Sequence, residues 1–223
     1  MPHVRKIACH PVAVLGYHQT SAFCAIRPLS PIEDRALKRP LPKIHTTRER
    51  NDGPGRVVEE LDLEFSNGER RVFHRVLARG ADAVCVVPLI DDNTVMLVRE
   101  YAAGVHRYEL GLVAGLANPG ESAVDAANRE MMEEIGYGAR KLKVLRALSL
   151  SPRFMQHEIQ VVVAADLFES KLPGDEPEPL ECVPMAWSAL EAHMLNDDFS
   201  DGRSLAALFI VRAWLAGGGG FDA

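Results

Sequence analysis

The stretch GLANPGESAVDAANREMMEEIGY, residues 115–137, constrains this chain more than any other. Gly115 and the Pro119-Gly120-Glu121 turn let the backbone bend sharply ahead of a helix. That helix is expected over 122–135, where Val124, Ala127, Met131 and Ile135 recur at helical spacing and Gly136 and Gly138 mark the stop. Glu130, Glu133 and Glu134 stand at i, i+3 and i+4, so one face carries three carboxylates. Like charges this close repel unless something positive sits among them. Arg129, four residues before Glu133, can neutralise part of the charge, and the remainder calls for a hard divalent cation. Mg²⁺ suits oxygen ligands and binds through a few carboxylates together with substrate phosphate oxygens. The bend can also bring a main-chain carbonyl, such as that of Ala114, toward the cluster, with Glu121 a further acid at the helix start. Glu-rich helices are more often solvated faces. Here, however, G-x5-E-x7-R-E-x-x-E-E-x-G has every fixed position filled. At roughly 6–7% usage per residue type, its chance occurrence is on the order of one in a million.

Around that segment the patterning alternates. VVEELDLEF (57–65) and RRVFHRVL (70–77) read as strands joined through Ser66-Asn67-Gly68-Glu69, a hairpin signal. AVCVVPLI (83–90) reads as a buried strand, followed by strands at 94–101 and near 107–113. Further strands are expected at 142–150, 159–167 and 181–187, with helices at about 188–196 and 204–216. This order points to an α+β or α/β/α sandwich. KLPGDEPEPL (171–180) is an acidic, proline-rich loop, and GGGG (217–220) opens a flexible tail to 223. Residues 1–37 show no periodicity and read as a disordered or loosely packed extension.

The chain's net charge of −6 is uneven: residues 1–55 carry nine Lys/Arg against four acids, leaving −11 for the other 168 residues. An acidic body argues against a nucleic-acid binder. The four scattered cysteines (Cys9, Cys24, Cys85, Cys182) form no C-x-x-C pair, which argues against a zinc knuckle, a disulfide framework or a thioredoxin-type site. No apolar run approaches the ~18 residues of a membrane span, and the apolar residues after Arg5-Lys6 resemble a secretion signal only faintly. A cytoplasmic location is the expectation.

The seven-position pattern is the Nudix box, and the chain is identified as a member of the Nudix hydrolases. ELDLEFSNGERRVFHRV, VPLIDD, REYAAG, YELG, PGES, ANRE, GDEPEPL and ALFIVRAWL extend the likeness over about 38–216. Together they resemble the ADP compounds hydrolase (NudE) branch of the ADP-ribose pyrophosphatase-like enzymes. Pro152, sixteen residues beyond Gly136, is similar to a proline of ADP-ribose-cleaving members, and the SQPWPFP-type element of NADH diphosphatases is absent. The resemblance implies an α+β fold, the Nudix α/β/α sandwich with a mixed sheet between helices. A β-hairpin region (38–80) would precede the hydrolase domain (81–216). It implies Mg²⁺-dependent hydrolysis (with Mn²⁺ as an alternative, two or three ions per site) of ADP-ribose, short diadenosine polyphosphates or NADH. Homodimerisation is also implied, with Leu208, Ile210 and Trp214 its only sequence support.

The same resemblance distributes roles. Glu130, Glu134, Glu121 and the Ala114 carbonyl would ligate metal, and Glu133 would orient a water or ligate a second ion. Arg129 would hold the cluster. The loop offers Asp175, Glu176 and Glu178. Glu176 is favoured as base and Glu178 as ligand, because E-x-E places both on one side of an extended chain; an ordinary solvated loop is the alternative. Arg79 resembles an arginine that packs on adenine, and Arg99 and Glu109 are further phosphate or ribose contacts. His74, His106 and His157 read as structural, and Trp187 and Trp214 as core or interface. Ala114 and Asn118 stand where the branch usually has Lys and Asp, which leaves substrate preference open. A nucleotide sugar or nucleoside triphosphate specificity and a non-catalytic ligand sensor are the competing readings.

Overall fold

A continuously apolar strand must be covered on both faces, and AVCVVP meets that requirement at the centre of the molecule. The computed structural model describes residues 40–53, 57–77 and 83–221. In chain order these form β1 (Lys43–Asn51), β2 (Val57–Glu64), β3 (Arg70–Leu77), β4 (Ala83–Pro88), β5 (Thr94–Ala102), β6 (Arg107–Gly111) and β7 (Val113–Leu116). Then follow α1 (Ala123–Glu134), β8 (Tyr137–Ser149), β9 (Met155–Gln156), β10 (Glu158–Glu169), β11 (Glu181–Ala186), α2 (Trp187–His193) and α3 (Gly202–Ala216). Arg79 and the 1–37 extension lie outside the described residues.

The central sheet runs β7-β4-β10-β8, with β4 and β10 parallel and the other pairs antiparallel. Alternate residues of β4 feed two cores. Val84 and Val86 join Met96, Val113, Val162 and the α1 residues Ala126, Ala127 and Met131. Cys85 and Val87 join Leu97, Val161 and Val163 with Leu190 of α2 and Ala207, Leu208 and Val211 of α3. Helices therefore cover both faces of a mixed sheet, the α/β/α sandwich expected. A second sheet, β11-β5-β6, continues this layer, and β1-β2-β3-β9 forms a third.

Three boundaries depart from the expected pattern for local reasons. The single strand expected at 107–113 divides at Leu112, whose N–H donates to the Ser204 hydroxyl (3.0 Å) instead of to a neighbouring strand. The chain thereby passes from the β5-β6 sheet into the central one and delivers 113–116 beneath α1. The strand expected at 142–150 begins at Tyr137: Gly136, at φ +75°, reverses the chain in one residue. Asn128 Oδ1 then accepts from the Ala139 N–H (2.8 Å), which ties the new strand to α1. Finally, 43–51 is a strand that no periodicity announced, since every residue of it is exposed.

The polyglycine segment read as a flexible tail is packed over 217–221. The Gly217 N–H caps α3 on the Ala213 carbonyl (3.0 Å), and Phe221 sets its ring edge-on to Trp214 at 5.5 Å between centroids. No helix among the described residues is long and apolar enough to cross a membrane.

Candidate active site

α1 starts where its sequence asks it to. The Ser122 hydroxyl accepts from the Asp125 N–H (3.1 Å) and fixes the N-cap. Burial of Ala126, Ala127 and Met131 then fixes the rotation of the helix about its axis, which turns Glu130, Glu133 and Glu134 toward β7. Gly115 is required there: a Cβ at that position would overlap the Glu130 carboxylate. Any side chain there would displace the Glu130 carboxylate from its place beside β7.

Arg129 organises the cluster. Its Nε and Nη2 donate to the two oxygens of Glu121 (3.0 Å each), and its Nη1 donates to Glu130 and Glu133 (2.9 Å each). Nη2 also donates to the Leu116 carbonyl (2.8 Å), clamping β7 to the helix. These bonds hold the Glu121 carboxyl below the usual range, helped by the Asn118 N–H. Glu130 moves the other way: burial raises it against the pull of Arg129, with Glu133 and Asp175 adding to the rise. Glu134 is the extreme case. Burial pushes it up to about 9, the Ala114 N–H (3.3 Å) offsets part of this, and Glu130, Glu100 and Glu176 raise it further.

Arg129, Glu130, Glu133 and Glu134 line a cavity of about 780 Å³ that also takes in Ala114, Lys171 and the loop from Pro173 to Leu180. Two main-chain contacts anchor the loop to the end of α1: Lys171 Nζ donates to the Glu133 carbonyl (2.6 Å), and the Leu172 N–H to that of Met132 (3.0 Å). At its other end the Tyr108 hydroxyl donates to Glu178 (2.6 Å).

Of the residues singled out from the sequence, Ala114, Arg129, Glu130, Glu133, Glu134, Asp175, Glu176 and Glu178 share this cavity. Glu121 stands behind Arg129. Arg99 does not line this cavity but borders the 176–181 part of the loop, paired with Asp198 (2.9 Å) and Glu181 (3.2 Å). Glu109 is buried and bound by Arg107 and by the Ser200 N–H (2.9 Å). His106 meets the Tyr101 hydroxyl (2.6 Å), and Trp187 and Trp214 pack on the core. Glu100 lies inside REYAAG but is not among the residues singled out there; burial and Glu176 raise its carboxyl and it in turn raises Glu134.

The donor chemistry suits a hard divalent ion. Arg129 and Lys171 line the cavity with six carboxylates, Glu121 standing behind Arg129 as a seventh, and the most buried, Glu134, accepts among the described residues only from a backbone N–H. Among the described residues no three His, Cys, Asp or Glu side chains already form an ion cage, because Glu121, Glu130 and Glu133 each turn an oxygen to Arg129. A cation entering here would meet carboxylates in excess of their counter-charge.

Comparisons with known proteins agree with this arrangement. The NUDIX domain model matches residues 80–209, and the NudE-type Nudix hydrolase N-terminal domain model matches residues 42–75. ADP compounds hydrolase NudE of Escherichia coli (strain K12) is 47% identical over 163 residues, covering 73% of this chain and 87% of the relative. ADP-ribose pyrophosphatase of Bacillus subtilis (strain 168) is 31% identical over 133 residues, covering 58% and 71%. A crystal structure of an ADP compounds hydrolase superposes with a TM-score of 0.74 at 43% identity, covering 81% of this chain and 97% of that one.

Proposed function

Since the chain belongs to the Nudix hydrolases, we propose that it hydrolyses the diphosphate linkage of ADP-linked compounds, releasing AMP and the second moiety. The observation that carries this reading is the intact carboxylate cluster on α1, buried against β7 and facing the acidic loop across one cavity. The relatives named for ADP compounds and ADP-ribose support the substrate class.

Family members generally use divalent metal ions, and Mg²⁺, as two or three ions per site, is our assignment here. Glu130 and Glu134 would hold it, with the Ala114 carbonyl and Glu178 beside them. When bound it would neutralise charge on the diphosphate and make water a better nucleophile. Everything else falls to the chain's own side chains. Arg129 keeps Glu121, Glu130 and Glu133 in fixed positions, so the carboxylates need little reorganisation during the reaction. Glu133 orients the attacking water. Glu176, whose field reaches Glu134 and Glu100, takes that water's proton. Arg79 is proposed to pack on the adenine, and Arg99 to face the substrate from the edge of the loop.

Homodimerisation belongs to the same reading, on different support from that offered by the sequence. Leu208 is buried in the core, and Ile210 and Trp214 pack against it, so these three residues are occupied. Ile44 and Phe73, on one face of the β1-β2-β3 sheet by its register, are instead 54% and 44% exposed, an apolar surface suited to a second copy.

The test is a substrate panel: ADP-ribose, diadenosine triphosphate, NADH, ADP-glucose and dGTP with Mg²⁺, products separated by chromatography. AMP from ADP-linked compounds is expected. Cleavage of dGTP alone would contradict the assignment.

A further inference from the structure

The loop that brings Asp175, Glu176 and Glu178 to the carboxylate cluster is held by very little. Residues 173–180 make no main-chain hydrogen bond among the described residues. Pro177 and Pro179 have no N–H to give, and they fix φ on either side of Glu178. One hydrogen bond joins this segment to the rest of the described residues: the Tyr108 hydroxyl donates to Glu178 Oε1 (2.6 Å). Beside that bond a space of about 180 Å³, lined in part by Tyr101, Tyr108 and residues 176–181, opens between the loop and the β5-β6 hairpin.

The donor, by contrast, is well fixed. Tyr108 stands directly across from Tyr101 in the β5-β6 register, and the two rings meet edge-on at 5.9 Å between centroids. The Tyr101 hydroxyl shares a 2.6 Å hydrogen bond with His106 Nδ1 at the hairpin turn, where His106 takes φ +54°. On the opposite face of β6 the next residue, Glu109, is buried and bound by Arg107 and Ser200. Tyr108 itself is half-exposed, so its hydrogen bond competes with water and adds little to the stability of the fold. Its consequence is where Glu178 stands. A tyrosine hydroxyl is also neutral: unlike the Arg129 guanidinium, it orients a carboxylate without cancelling its charge. Glu178 Oε2 is left without a partner among the described residues, at the edge of the cavity that Glu178 lines.

We propose that Tyr108 is a positioning residue for the divalent ion: through Glu178 it holds the acidic loop facing the carboxylate cluster, so that the loop's ligand is in place before the ion arrives. The inference rests on the reading above, in which Glu178 is a ligand, and deepens it by naming the group that presents that ligand. Groups that orient metal ligands from behind are typically worth about ten- to a hundredfold in metal affinity.

The experiment compares the wild-type protein with Tyr108→Phe, which keeps the ring and loses the hydroxyl, with Glu178→Ala, and with the double variant. Mn²⁺ is the probe, its free ion counted by electron paramagnetic resonance, so that binding is read without substrate. Tyr108→Phe should raise the Mn²⁺ dissociation constant about tenfold while melting with the wild type in EDTA. The Mg²⁺ concentration for half-maximal AMP release from ADP-ribose should rise in step, with KM for ADP-ribose at saturating Mg²⁺ unchanged. In the Glu178→Ala background the same substitution should change Mn²⁺ binding no further, because the hydroxyl then has no carboxylate to orient. Unchanged Mn²⁺ affinity in Tyr108→Phe, or an equal loss in the Glu178→Ala background, would overturn the positioning role. So would a Tyr108→Phe protein that melts well below the wild type in EDTA, since the hydroxyl would then serve the fold. Wild-type protein that binds no Mn²⁺ would overturn it together with the metal assignment. Failure to release AMP would instead count against the diphosphatase reading, and the Mn²⁺ titrations would still decide the role of Tyr108.

Discussion

Arg129 makes four hydrogen bonds to three carboxylates and one to a main-chain carbonyl, and only a planar, forked cation can do that. Lysine would keep the charge and lose the geometry. Arg129→Lys is therefore expected to lower kcat by at least roughly tenfold on ADP-ribose, with a smaller change in KM. A kcat within twofold of wild type would show that the fork is dispensable. Glu134 gives a pH prediction. Its carboxyl is raised to about 9 by burial in the metal-free protein. Between the ordinary carboxylate range and pH 9 the folded state then holds a proton that the unfolded state has released. The protonated group's contribution to stability is full below the unfolded pKa and is lost as pH rises toward 9. In EDTA the melting temperature should fall across that window. Mg²⁺ binds the ionised form, so the gap between melting curves with and without it should widen as pH rises. A gap independent of pH would contradict the ligand role of Glu134.

At the scale of elements, α1 serves two purposes with one rotation: its small apolar face sets the helix phase, and the carboxylate face follows. Met131 is fully buried, so Met131→Ala should cost about 2–5 kcal/mol in urea unfolding, and a cost below ~1 kcal/mol would mean that the phase is set elsewhere. The helix was legible in the sequence because its apolar spacing, its cap and its glycine stop all agree. β1 was not. KIHTTRERN is exposed along its whole length, and a strand that buries nothing has no periodicity to read. The break at Leu112 was also hidden, since it depends on the Ser204 hydroxyl far along the chain. Among site residues, the cluster on α1 could be read from spacing alone. Glu100 stands inside REYAAG without a role of its own to read, because its nearness to Glu134 and Glu176 arises only in the fold.

The whole molecule shows why an acidic protein can act on an acidic substrate. The −11 carried by residues 56–223 is concentrated in part around one cavity, where seven carboxylates from α1, the turn before it and the 173–180 loop gather about Arg129 and Lys171. Such a field repels a diphosphate and attracts divalent cations; with cations bound, as proposed, the sign would reverse and the same cavity would become a diphosphate site. Net charge alone suggested only which partners to exclude, and its position in the fold supplies the function. The most direct test follows AMP release from ADP-ribose by wild-type protein and Glu134→Gln in parallel, with Mg²⁺ and again after EDTA. The account predicts AMP together with ribose 5-phosphate from the wild type only when Mg²⁺ is present. It also predicts a loss of at least about a hundredfold in Glu134→Gln, a cost in the range of removing a group that stabilises transition-state charge. Near-wild-type AMP release by Glu134→Gln, or release undiminished by EDTA, would contradict it.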